Sequence, residues 1–389
     1  MLRGRGAAEE PCGGLEAHFR NFLENLTKTI ALFFVLSYNQ NSRINKRVPG
    51  RGRIMKNVTI KDVAKIVGVS YSTVSRALSG SPEISEETRA RIVQVCKEMN
   101  YTPNTVARAM VKKNTMLLGL ILTDINNPFM SDLAYYVDRQ AHEHGYNILL
   151  SNSSKDKEQE REIFELMLGH QVDGIILCPC GPDSSEALTE LTKRVPTVFF
   201  GENLREIPET YVSVDNFRGG EMGTEYLYGL GHRSIVYFGK RRNSTTHQLR
   251  AEGYEHACRT LGITPRYFHN TFNSTSIQNG YLMAKQLFSE PVDFTAIFAS
   301  TDTNALGIME AAEEMGIRIP EDISLLGFDN IRDASLPRIE LTTVEQPMKL
   351  LSSVAMDCLF QKIQNEQSGY SHRILYPNLV ERSSCRKID

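Results

Sequence analysis

The chain has no Cys-x-x-Cys pair and no grouping of His with Cys at metal-ligand spacing; its seven cysteines lie scattered at positions 12, 96, 178, 180, 258, 358 and 385. Neither a disulfide framework nor a zinc site can be built from them, and a reducing compartment, the cytoplasm, is expected. The one tight pair, Cys178-Pro-Cys180, follows Gly174-Ile-Ile-Leu177 and reads as the end of a buried strand. Long apolar runs are also missing. Ile30–Tyr38 is nine residues long, where about 20 are needed to span a bilayer as a helix. The polar, basic stretch Asn39–Arg47 behind it offers no cleavage site for an export signal. No membrane association is expected. Catalytic signatures are absent too: there is no Gly-x-Ser-x-Gly elbow and no Walker loop, and Gly219-Gly220-Glu-Met-Gly223 opens a helix without a preceding Gly-x-Gly turn. His142, His144, His170, His232 and His256 are dispersed, as solvated or capping residues are. No catalytic residue, metal or cofactor is expected, and the chain does not read as an enzyme.

What is present is a globular composition, 41% hydrophobic and 23% charged, in 389 residues. That length exceeds one ordinary core, so a small module plus a larger two-lobed body is expected. The net charge of −2 is unevenly spread. Residues 1–54 carry nine Lys and Arg against four Asp and Glu, residues 55–114 ten against five, and residues 115–389 hold 25 against 37. A basic front and an acidic body suit a protein that meets a polyanion with one end only. Gly50-Arg-Gly-Arg53 is what a purine-rich ribosome-binding stretch gives when translated in frame. Met55 is therefore expected to be the true start and residues 1–54 a non-native extension, a real disordered basic tail being the alternative.

From Met55 onward helical periodicity sets in. Ile60, Val63, Ala64 and Val67 fall at i, i+3, i+4 and i+7 behind Thr59 as N-cap. Gly68-Val-Ser70 stops that helix, with Gly68 supplying a left-handed turn, Val69 plugging the angle and Ser70 capping the next helix. The second helix, about Tyr71 to Leu78, buries Val74, Ala77 and Leu78 and turns Tyr71, Ser72, Thr73 and Arg76 outward. This spacing is that of a helix-turn-helix, which presents its second helix to a major groove. A third helix from Ser85, with the stripe Ile92, Val95, Cys96 and Met99, closes the small core. Pro103 ends its reach, and Asn104 can cap a short helix Thr105–Met110.

Thr59-Ile-Lys-Asp-Val-Ala64, Val69-Ser-Tyr-Ser-Thr-Val-Ser-Arg-Ala-Leu78 and Asn100-Tyr-Thr-Pro-Asn-Thr-Val-Ala-Arg-Ala-Met110 resemble the head-piece and hinge of the lactose/galactose-repressor (LacI/GalR) family, and the likeness runs over about 57–385. The resemblance implies a bacterial transcriptional repressor in which Tyr71, Ser72 and Arg76 touch base edges of double-stranded operator DNA. It places Thr59, Ser70, Thr73 and Ser75 near phosphates or in the capping network. It also implies a hinge helix that folds on DNA, with Asn104, Val106, Ala107 and Met110 as DNA-binding positions and Met110 where the family wedges a leucine. Chemically, Arg76 suits bidentate pairing with guanine, Ser72 discriminates weakly, and a methionine wedge is apolar but less shape-specifying.

Behind Lys112–Thr115, apolar runs alternate with helical patterns: Leu117–Leu122, Phe129–Gly145, Asn147–Ser151, Glu158–Gly169, Gly174–Leu177, Ser184–Lys193 and Val198–Phe200. A second series runs Phe217–Leu230, Ile235–Phe238, Thr246–Leu261, Ser276–Ser289, Ala296–Ala299, Thr303–Met315 and Ser324–Phe328. Such alternation means parallel sheets, here in two lobes, with ligands beyond the strands' carboxyl ends. The expected division is a helix-turn-helix domain at 55–103, a hinge at 104–115 and an α/β body at 116–389. Lobe one takes about 116–215 and 347–373, lobe two about 216–344 and 375–389. The resemblance implies a periplasmic-binding-protein-like body that binds a small effector, expected to be a sugar, through Phe129, Thr246, Arg250, Asp302 and Asp329. Arg250 and Asp329 are expected to grip it from opposite lobes. A half-site of a few base pairs is too little for specificity, so a homodimer is expected; the resemblance places tetramer-forming leucine heptads behind the body, and without them at Lys387-Ile-Asp389 nothing larger is expected. A periplasmic sugar-binding protein is the alternative for the body; residues 56–110 and the lack of an export signal speak against it.

Overall fold

A computed structural model describes residues 58–101, 114–181, 188–201, 209–240, 244–269, 272, 275–365 and 369–389. The extension at 1–54 and the hinge positions Asn104, Val106, Ala107 and Met110 lie outside these residues. The chain divides into two compact units, Met1–Asn104 and Thr105–Asp389.

In the first unit, helices α1 (Ile60–Val67), α2 (Tyr71–Leu78) and α3 (Glu86–Glu98) surround one small core. Val63, Ala64, Val67, Val74, Ala77, Ile92 and Cys96 are buried there, with Ile60, Val69, Leu78, Val95 and Met99 packed around them. Each helix start is tied by a side chain. Thr59 donates its N–H and its hydroxyl to the Asp62 carboxylate at 2.9 and 2.7 Å. Ser70 and Ser85 accept from the N–H groups of Thr73 and Thr88 at 3.1 and 3.3 Å. Gly68 ends α1 at φ +78°, the left-handed backbone that glycine adopts without a Cβ penalty.

The second unit holds two six-stranded sheets. The first contains β1 (Leu117–Leu122), β2 (Asn147–Asn152), β3 (Gly174–Leu177), β4 (Thr197–Phe200), β5 (Tyr211–Val214) and β11 (His372–Leu375), in the order β11-β5-β4-β3-β1-β2, all parallel. Helices α4 (Pro128–Glu143) and α10 (Met348–Ile363) supply buried residues to one of its cores and α5 (Lys157–Gly169) to another. The second sheet contains β6 (Ile235–Lys240), β7 (Arg266–His269), β8 (Ala296–Ala299), β9 (Ser324–Asp329), β10 (Thr342–Glu345) and β12 (Asn378–Val380), in the order β12-β10-β9-β8-β6-β7. Only β12 runs antiparallel among its pairings. Helices α6 (Asn216–Gly229) and α7 (Thr245–Leu261) share one core of this sheet, α8 (Ile277–Leu287) and α9 (Asp302–Met315) the other. The chain passes between the sheets three times, after β5, β10 and β11.

The buried strands β1, β3, β4 and β8 read as near-continuous apolar runs, as parallel strands should. Arg266-Tyr-Phe-His269, half-buried at a sheet edge, carries no such signal, and β7 is an addition to the expected order. So are β11 and β12, whose sequences are largely exposed, and β5 and β10, which are buried but carry Ser213 and Thr342-Thr343 among their apolar residues. β11 extends lobe one to Leu375, past the expected 373.

Candidate functional site

In the first unit the exposed flank of α2 is the functional candidate. Val74 and Ala77 are buried beneath it, while Tyr71 is 62% exposed and the Arg76 side chain 54%. A bare aromatic at the start of an eight-residue helix has no packing reason to be there. Ser70 Oγ lies 2.7 Å from Ser72 Oγ and 2.8 Å from Thr73 Oγ1. The hydroxyl of Ser72, expected at base edges, is thus engaged in the cap cluster. Ser75 is exposed, and so is Thr59. Arg76 donates from Nη1 to Glu83 Oε2 at 2.8 Å, a partner that sequence reasoning missed.

In the second unit a buried polar group lies at the carboxyl ends of the second sheet's strands. Arg250, on the first half of α7, donates from Nε to Asn216 Oδ1 at 2.8 Å and from Nη1 to Ser300 O at 2.6 Å. Its Nη2 stands 3.2 Å from Asp329 Oδ1, and its Cζ sits 3.6 Å from the centre of the Phe328 ring. A guanidinium so desolvated needs each of these partners. Asp329 closes β9 at φ +125° and accepts from Gln346 Nε2 at 2.7 Å. Such a backbone is strained for any residue but glycine and persists where neighbours fix it. Asp302 has no exposed surface; Thr343 Oγ1 and the N–H of Ile331 donate to its carboxylate at 2.6 and 2.9 Å. Burial, together with the charge of Asp329, pushes the Asp302 carboxyl up to about 7, against the pull of its donors. Burial raises Asp329 as well, opposed by Arg250 and Gln346. A Cβ at Gly327 would come within 2.1 Å of Asp302 Oδ1, so that glycine makes room for the carboxylate.

The structure corrects the expected placement of the pair. Arg250 and Asp329 belong to the same lobe and are bonded to each other, because α7 and β9 both belong to the second sheet's layer. The residue that reaches across is Phe129, at the start of α4, which packs half-buried against cores of both sheets. Thr246, the second residue of α7, is half-buried one turn before Arg250. Asn216, Ser300, Thr343 and Gln346 were not singled out from sequence. Their roles follow from partners distant in sequence, which no local pattern announces.

Residues 115–382 match the family model described as periplasmic binding proteins and sugar binding domain of LacI family. Residues 59–104 match that of bacterial regulatory proteins, lacI family. The chain is 34% identical to the catabolite control protein A of Priestia megaterium over 329 residues, 84% of this chain and 98% of the relative. It is 30% identical to the ribose operon repressor of Haemophilus influenzae, over 84% of this chain and 98% of that one. Among solved structures it resembles a lac repressor dimer bound to operator and an anti-inducer, with a TM-score of 0.77 at 28% identity over 85% of this chain and 100% of the other. Another is a family regulator from Enterococcus faecium with bound ribose, with a TM-score of 0.62 at 26% identity, 70% of this chain and 100% of that one. The polar group beneath the strand ends, the exposed flank of α2 and these likenesses agree: the chain belongs to the LacI family of DNA-binding transcriptional regulators.

Proposed function

We propose that the protein is a cytoplasmic, homodimeric repressor of carbohydrate-utilisation genes whose hold on operator DNA is set by a sugar or sugar derivative bound between its lobes. The observation that carries the DNA half of this reading is the division of α2, with Val74 and Ala77 buried and Tyr71 and Arg76 in solvent. Tyr71, Ser72 and Arg76 would meet base edges. Thr59, Ser70, Thr73 and Ser75 would meet phosphates, and Asn104, Val106, Ala107 and Met110 would act from the hinge. No catalytic role enters this reading; the named relatives are regulators. No helix among the described residues is long and apolar enough to cross a membrane.

Effector contact is assigned to Phe129, Thr246, Arg250 and Asp329. Asp302, held wholly by protein groups, would act from behind them by fixing the β9 terminus. A carboxylate and a guanidinium already in register can offer charge-assisted bonds to vicinal hydroxyls without further ordering, and a ligand that also touched Phe129 would change the angle between lobes. The test is a thermal-shift screen of sugars, nucleosides and phosphosugars on the purified chain, with Asp329→Asn as control. A sugar at 100 times its Kd should stabilise the native protein by about 2.7 kcal/mol and lose most of that effect in Asp329→Asn. A panel without a hit among sugars, or a hit that Asp329→Asn leaves untouched, counts against the assignment.

A further inference from the structure

Glu83 stands in the turn between α2 and α3, and its carboxylate holds the guanidinium expected to read bases: Arg76 Nη1 donates to Oε2 at 2.8 Å. Both side chains are more than half exposed, 54% and 67%, so the pair adds little to folding. Its interest lies in what it occupies. The turn that carries Glu83 is a built one. Gly80 takes φ +77°, the Ser81 N–H returns to Arg76 O at 3.0 Å, and Arg89 donates to Ser81 O at 2.8 Å. Pro82 fixes its own φ, and Ile84 packs against the unit's core. Glu83 is therefore delivered to Arg76 by a stiff loop tied at both ends.

We propose that Glu83 sets DNA specificity by neutralising Arg76 until a matching base edge displaces it. This inference rests on the reading of α2 as the helix that meets DNA. A phosphate offers Arg76 one anion in exchange for another, and it brings Glu83 close to the rest of a like-charged backbone. A guanine offers O6 and N7 in one plane, which the guanidinium fork takes with two bonds. On an arbitrary duplex Arg76 thus stays with Glu83 and neutralises no phosphate. On a matching half-site the exchange is compensated. The carboxylate weakens binding to both, but to the arbitrary duplex more, and the ratio between them rises.

The test uses the full chain, a duplex that the wild-type protein enriches from a randomised pool, and a scrambled duplex of the same composition, titrated over a range of salt. Glu83→Gln should bind the scrambled duplex roughly three- to fivefold more tightly. The slope of log affinity against log salt should steepen by about one for each DNA-binding unit engaged. The enriched duplex should gain less, so the specificity ratio falls. Glu83→Ala should act in the same direction, and in an Arg76→Ala background Glu83→Gln should lose its effect on the slope. An unchanged ratio and slope in variants that melt as the wild type does would overturn the proposal. So would an effect that persists undiminished without Arg76, since Glu83 would then act through its own charge alone. If the wild-type chain enriches no sequence, the reading of α2 itself fails and takes this inference with it.

Discussion

Asp302 shows how much of a residue's role depends on the direction its side chain takes. The resemblance implies an effector contact there; in the structure Thr301 is the N-cap of α9 and Asp302 faces inward, to Thr343 and Ile331. The strand end was legible; the direction of the side chain was not, because it depends on Gly327 leaving space across the sheet. The position has a pH signature. The Asp302 carboxyl is raised to about 7 in the folded protein from an ordinary carboxylate value of 3.8. The native state then binds a proton that the unfolded chain releases. The stability this contributes is complete below the unfolded value and is lost as pH rises through about 7. Melting temperature followed from pH 4 to pH 8 should decline across that window in the wild type relative to Asp302→Asn. Parallel curves would mean that the site does not titrate there.

At the scale of elements, α6 and α7 depend on glycines that looked like a nucleotide motif gone wrong. Gly219-Gly220-Glu-Met-Gly223 lacks the preceding Gly-x-Gly turn of a dinucleotide motif, and the structure shows what its glycines serve. A Cβ on Gly220 would lie 2.1 Å from Arg250 O, and one on Gly253 1.9 Å from Phe217 O. The two helices touch backbone to backbone, and that contact seats Arg250 over Phe328. Gly253→Ala should force them apart and destabilise the protein by about 1–3 kcal/mol, the usual range for overpacking, read as a lower urea midpoint at unchanged slope. A midpoint within error of the wild type would show that the helices can separate freely. The first unit's helices and the apolar buried strands were legible because caps and apolar runs are local signals; β5 and β10, buried but built from Tyr-Val-Ser-Val and Thr-Thr-Val-Glu, carried no such run. β7, β11 and β12 were not, since edge strands with exposed side chains are defined by their partners. The Arg76–Glu83 pair escaped notice for the same reason: the two meet only because the turn after α2 folds back on it.

For the whole molecule, charge separation, the two-sheet body and the small helical unit were all readable from length, sign of charge and periodicity. The expected bounds of lobe two, 216–344, already held both Arg250 and Asp329, but their bonding to each other was not readable, because nothing in a sequence says which strand end a helix side chain will meet. The proposed function rests on α2 reading base edges in a paired arrangement of two chains. Enrichment of binding sites from a randomised duplex pool tests it most directly, with wild type and Arg76→Ala run side by side at physiological salt. The wild type should enrich a pseudo-palindrome with half-sites about one helical turn apart. Arg76→Ala should bind that sequence about 1–3 kcal/mol more weakly while holding random DNA nearly as well. A wild-type pool that stays random, or equal losses on both duplexes, would contradict the claim.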